Sequence, residues 1–172
     1  MHESPADLAS LQDLIDRSYA QAGAHLLRIH DPARRLTAEQ VAARLQGMCL
    51  LALGTVSGKG RPIVGPVDGI FFRGAFHFGS APDSLRLRHI RRRPHVSATH
   101  LPSEALAVTV HGTAVPIDVR SPECAAFRRT LLDIYVPRYG PEWETGFLDA
   151  PPPAPMYARI DADRMFAFAM PE

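Results

Sequence analysis

The stretch that decides the fold is residues 48–80, MCLLALGTVSGKGRPIVGPVDGIFFRGAFHFGS. Apolar side chains run through 48–56, 61–72 and 75–79. The breaks between them, Ser57-Gly58-Lys59-Gly60 and Arg73-Gly74, supply the glycines that tight hairpins need where φ turns positive. Three antiparallel strands in a meander are expected. Pro62 and Pro66 have no N–H to give a ladder, so their stretch belongs at a strand start, a sheet edge or a bulge.

Downstream, 84–93 is helical in pattern, with Leu85, Leu87 and Ile90 apolar and the arginines between them polar, and it stops at Pro94. Further β-type stretches follow at 95–100 and 105–119, the second carrying Pro116. A helix should start at Ser121-Pro122-Glu123, serine as N-cap and proline in the first turn, and run to about Tyr135. Residues 149–155 are so proline-rich that an extended connector is expected, and 157–160 and 165–170 read as two final strands. Upstream, Leu8, Leu11, Ile15, Tyr19, Ala22 and Leu26 recur at three- and four-residue steps, the stripe of one amphipathic helix over 7–27. Thr37 and Gln40 have the spacing of a capping box, with Val41 and Leu45 apolar behind them and Gly47 as the stop. The order is that of an α+β antiparallel barrel with peripheral helices, a helical docking arm over 1–46 and the barrel over 47–172, one domain overall.

A chain of 172 residues, 46% of them apolar, can bury one adequate core. Its formal charge of +1 asks for neither nucleic acid nor an anionic membrane as partner. The longest apolar run, around 48–53, is too short for a bilayer. Acids and Pro5 stand where an export signal needs basic then apolar residues, and Cys49 and Cys124 have no paired spacing, so a reducing cytoplasm is expected.

Chemistry concentrates between Thr55 and Thr113. A helix start offers unpaired N–H groups and a positive dipole end, so Ser84, Arg86 and Arg88 could hold a phosphomonoester, with Ser80 adding a hydroxyl. Arg91-Arg92-Arg93 reads as a solvated face answering the negative end of that helix. The histidines show no ligand spacing, so no metal is expected; His111, on one strand face, is a weak candidate for donating a hydrogen bond to a ligand carbonyl, and His89 could face the phosphate. No Gly-x-Gly-x-x-Gly follows a strand. Tyr139, Trp143 and Phe147 lie in a segment expected to pack over the barrel, with a lid over the ligand pocket as the alternative.

The succession of residues 60–67, then Phe76-His77-Phe78-Gly79-Ser80, then residues 84–97, with Val110-His111-Gly112-Thr113 after it, resembles the pyridoxamine-phosphate-oxidase-like flavoproteins. The resemblance implies a split β-barrel that binds FMN. The strand carrying Arg61, Ile63, Val64, Gly65, Pro66 and Val67 would run along the flavin ring. Gly79 and Ser80 would meet the ribityl and phosphate region, and Arg86 would bind the phosphate beside Ser84 and His89. Leu85 stands where the family's oxidases carry a second basic residue, and no counterpart of their C-terminal substrate-phosphate residues is visible, so pyridoxamine phosphate is not the expected substrate. The resemblance also implies a homodimer with the cofactor at the subunit interface.

The expected function is that of an FMN-dependent oxidoreductase. Two alternatives stay open: a reductase of the same fold using a deazaflavin coenzyme, whose acidic tail Arg88, Arg91 and Arg92 could meet, or a non-catalytic flavin or haem carrier or sensor, with His77 or His111 as the axial ligand for haem.

Overall fold

The structure, a computed structural model, describes residues 1–151 and 155–170. Six antiparallel strands close into a barrel in the order β1-β2-β3-β6-β5-β4. They are β1 (Met48–Val56), β2 (Pro62–Phe72), β3 (Ala75–Ser80), β4 (His95–Ser103), β5 (Leu106–Ile117) and β6 (Met156–Ala169). Around them lie the helices α1 (Pro5–Ala20), α2 (Ala24–Ile29), α3 (Ala38–Arg44), α4 (Leu85–Arg92) and α5 (Ala125–Tyr139). The chain is an α+β antiparallel barrel, as its order of elements requires.

β1 shows why these segments are strands. Cys49, Leu51, Leu53 and Thr55 are buried while Leu50 and Ala52 face out, the period of two that a half-buried strand dictates. The meander forms through Gly60 (φ 79°) and through Arg73 and Gly74 (φ 49° and 77°). β2 pairs with β1 along Pro62–Ile70, but β3 meets it only at Gly69–Phe72. Residues 62–68 of β2 thus have a strand on one side only, and there Pro62 and Pro66 interrupt no second ladder. Pro116 sits past the last β4 partner on β5, Thr113.

Three expectations are corrected. The two final strands are one, β6, whose pairing with β5 slips between His111 and Gly112. The stretch Ala162-Asp163-Arg164, whose two charged residues look like a turn, is a bulge in a continuous strand. The single helix over 7–27 is two, because α1 stops at Ala20 and α2 begins only after Gly23. The helix expected to end at Tyr135 opens with a 3-10 turn at Pro122–Cys124, continues through Pro137 to Tyr139, and stops at Gly140, whose φ is 94°. The centre of the expected proline-rich connector, 152–154, lies outside the described residues.

The capping box of Thr37 with Gln40 is present at α3, and Ser4 with Asp7 forms another at α1. Leu11, Ile15 and Val41 from these helices join Leu51, Phe71, Phe76, Val108 and Met165 in one buried cluster, so the first 46 residues help to build the barrel core. The buried Ser18 hydroxyl accepts the N–H of Met165 at 2.9 Å, beside the β6 bulge. A second cluster under α5 joins Ile70, Phe72, Phe127, Leu131, Tyr135, Leu148 and Tyr157. Among the described residues, no helix is long and apolar enough to cross a membrane.

Candidate functional site

Where β2 and β3 diverge, the barrel wall opens, and α4 fills the opening. Ser84 caps this helix by accepting the Leu87 N–H at 3.2 Å. Two residues past this cap, in the first turn, the half-buried Arg86 reaches across the split. Its guanidinium donates to the Pro66 carbonyl at 2.9 Å and to the Ser80 hydroxyl at 3.2 Å, while Ser80 donates to Ser84 Oγ at 3.0 Å. Partial burial pushes the Arg86 pKa down from its ordinary value, and no carboxylate among the described residues pairs with it. A partly desolvated cation beside two hydroxyls, with no carboxylate partner among the described residues, favours an anion.

On the Ile63 side of the bridge lies a cleft of about 240 Å3 lined by Leu53, Thr55, Ile63, Val64, Gly65, Ser84, Leu85, Arg86 and His89. Six residues singled out by sequence meet there: Ile63, Val64, Gly65, Ser84, Arg86 and His89. A Cβ on Gly65 would come within 3.3 Å of the Arg86 guanidinium, so the bare backbone gives this arginine its room. The buried His89 stands with Nδ1 3.0 Å from Thr55 Oγ1.

The remaining expected residues are placed differently. Gly79 and Ser80 line a second cleft, on the Asp68 side. Pro66 contributes its carbonyl through Arg86. The Val67 side chain points into the barrel core, and Arg61 is exposed at the 57–60 hairpin. His111 is half-buried, with Nδ1 2.8 Å from Ser97 Oγ. It shares a cross-strand row with Val64 through Gly54 and Ser97, three strands over, roughly 14 Å at ordinary strand spacing. Of the arginine triplet, Arg93 donates to the Gly58 carbonyl and Arg91 lies against Met156 Sδ.

The second cleft, about 320 Å3, is walled by Tyr135, Tyr139, Trp143, Phe147 and Tyr157, with Asp68, Gly79, Ser80, Ala81, Pro82 and Pro155 completing it. Tyr139, Trp143 and Phe147 were legible as a cover over the barrel. Asp68 and Tyr157 carried no signal, because a single carboxylate and a single aromatic in strands look like surface and core. The covering segment is tied down by Arg128, which donates to Glu144 at 2.6 Å and to Asp149 at 2.7 Å. Arg120 adds bonds to the Leu148 and Ala150 carbonyls.

His77 is buried against Phe127, ring centroids 4.4 Å apart, and its Nδ1 donates to the Ala75 carbonyl at 3.1 Å. Burial holds its pKa down to about 4. A neutral ring packed in this way behaves as a core side chain. No three His, Cys, Asp or Glu side chains among the described residues are grouped so as to hold a metal ion.

No family model matches the chain, and no curated protein does. Solved structures do. A conserved hypothetical protein of Mycobacterium tuberculosis superposes with a TM-score of 0.64 at 18% identity, over 82% of this chain and 92% of that one. A candidate pyridoxamine 5'-phosphate oxidase from Listeria innocua gives 0.57 at 15% identity over 75% and 95%. A FAD-binding protein from Mesorhizobium loti gives 0.56 at 19% identity over 80% and 98%. Identities this low speak for shared architecture, and with the six-stranded barrel and its split they establish that the chain has the split β-barrel fold of the pyridoxamine 5'-phosphate oxidase-like proteins.

Proposed function

We propose that this chain binds a flavin mononucleotide by its phosphate at the β2/β3 split and serves as an oxidoreductase. The observation that carries the reading is Arg86: a partly desolvated guanidinium, without a carboxylate partner among the described residues, bridging the Pro66 carbonyl and the Ser80 hydroxyl next to Ser84. Two of its five N–H donors are engaged in those bonds, which leaves others for phosphate oxygens. The start of α4 adds its positive dipole end. The donor set therefore fits a phosphomonoester.

Bound FMN would supply hydride or electron transfer through its ring. The chain's own part is positioning. Ile63, Val64 and Gly65 present an edge free of any second strand among the described residues, along which a flat ring can lie, with Leu53 and Leu85 adding apolar lining. The flavin named for the Mesorhizobium loti protein of this fold supports the choice of cofactor class. The reading includes a homodimer. Leu50, Val64 and Leu101, exposed by 59%, 69% and 60%, face outward on the adjoining strands β1, β2 and β4, and a second copy would cover them. Light scattering should then give twice the chain mass of 18.9 kDa, and a single-chain mass would exclude that part.

The phosphate reading is tested by titrating cofactor-free protein with FMN and with riboflavin, which lacks the phosphate. FMN should bind tighter by on the order of tenfold or more, and Arg86→Ala should close the gap. Equal affinities in the wild type would place the phosphate elsewhere. A deazaflavin coenzyme that binds while FMN does not would favour the alternative in which the helix arginines meet an acidic tail.

A further inference from the structure

We propose that the aromatic cleft on the Asp68 side of the split is a binding site for a planar, cationic aromatic molecule, separate from the site at Arg86. Three observations carry it. First, the rings of Tyr135 and Trp143 are nearly parallel at 4.7 Å and 23°, and Trp143 continues to Phe147 at 5.2 Å and 24°. Tyr139 extends the series on the other side of Tyr135, at 5.9 Å and 19°. Rings in such a ladder present flat π faces, and the two end members, Tyr139 and Phe147, are exposed by 48% and 39%. A flat ligand can continue a ladder of this kind by stacking.

Second, Asp68 is exposed at this cleft and pairs with no cation among the described residues. An unpaired carboxylate beside electron-rich ring faces selects positive charge twice over, by direct attraction and through the ring quadrupoles. The chain shows the second preference at the Tyr139 end, where the Arg138 guanidinium stands 5.6 Å over the ring, so the free end of the ladder is the exposed Phe147. Third, the hydroxyls of Tyr135 and Tyr157 make no hydrogen bond to any described residue, although both rings are buried. Burial, together with the Asp68 charge, pushes their ionisation up, so they stay protonated and can donate to an acceptor on the ligand.

The cleft meets the Arg86 site only at Ser80, whose hydroxyl lines it and also receives the arginine. The two sites thus select opposite charge: an anion at Arg86, a flat cation at Asp68. In an oxidoreductase of this layout the cation site would take the substrate or the electron donor, but its chemistry does not depend on which cofactor occupies the other.

The test uses N-methylquinolinium as the cation and quinoline, uncharged at pH 8, as its neutral analogue, titrated by calorimetry into the full chain with and without saturating FMN. Trp143 is the chain's one tryptophan, so its fluorescence reports on this cleft alone. The cation should bind once per chain, quench Trp143, and bind tighter than quinoline by about tenfold. Asp68→Asn, which alters an exposed side chain, should abolish that preference while leaving the circular dichroism unchanged, and FMN should leave cation binding in place. Equal affinity for cation and quinoline, an unaffected Trp143, or an Asp68→Asn protein that keeps the preference would overturn the proposal. Displacement of the cation by FMN would overturn it too, by putting the flavin ring in the aromatic cleft. A protein that binds the cation but never FMN would instead overturn the flavin reading alone.

Discussion

Arg86 and Pro66 are joined across the split of the barrel by a 2.9 Å hydrogen bond from guanidinium to carbonyl, so the helix that fills the opening is fastened to the one stretch of β2 that lacks a second strand. The bond orients the arginine without consuming its charge. Arg86→Gln retains a donor for the Pro66 carbonyl and removes the charge. It should weaken FMN binding by about ten- to a hundredfold, the scale of one charge-assisted contact. The thermal midpoint should move by about 2 °C or less, as for other substitutions outside the core. Fluorescence titration and a melting curve on the same sample check both halves.

The N-terminal helices are bound into the core by more than apolar contact. Ser18 of α1 accepts the Met165 N–H beside the β6 bulge and donates to the Leu14 carbonyl at 2.6 Å. Ser18→Ala leaves the Met165 N–H buried without a partner, which should destabilise the fold by about 1–3 kcal/mol. Chemical denaturation should show the midpoint fall with the slope unchanged.

Stability should also respond to pH through His77. Its folded pKa of about 4 lies below the ordinary 6.5 because burial disfavours the charged ring, so between those values the unfolded chain binds the proton and the folded chain does not. The contribution is fully present above pH 6.5 and is lost as pH falls toward 4. Between pH 7 and pH 5 it amounts to about 2 kcal/mol. His30, lowered by burial as well, acts in the same direction. Urea midpoints at the two pH values should converge in His77→Gln relative to the wild type.

How far the sequence speaks varies with what sets each element. β1 was legible to the residue because the alternation of Cys49, Leu51 and Leu53 with Leu50 and Ala52 is a local property, and Thr37 with Gln40 marked its capping box for the same reason. The bulge that keeps β6 continuous depends on β5 across the ladder, so Ala162-Asp163-Arg164 imitated a turn. The end of α5 lies four residues beyond the expected Tyr135, past Pro137, in a helix packed through Leu131 and Tyr135. At the split, Ser80, Ser84 and Arg86 were readable from their place around a helix start. Their bridge to Pro66, and the pairing of Asp68 with rings from α5 and β6, join residues distant in sequence and needed the fold.

The covering segment of the aromatic cleft should depend on Arg128, which ties Glu144 and Asp149 to α5 through two short ion pairs. Arg128→Ala should open residues 140–151 to limited proteolysis several-fold faster. The net stability change should stay near 1 kcal/mol, because these pairs are partly exposed. Trp143 emission should shift to the red as the ring gains water. A cleavage rate equal to that of the wild type would mean that the aromatic ladder and the Arg120 bonds hold the segment without Arg128.

The most direct test of the central claim is the absorbance spectrum of the freshly purified protein, with the mass of whatever small molecule denaturation releases. A flavin spectrum and the mass of FMN, one per chain, is the result this account predicts. A colourless protein that also takes up no added FMN would contradict it.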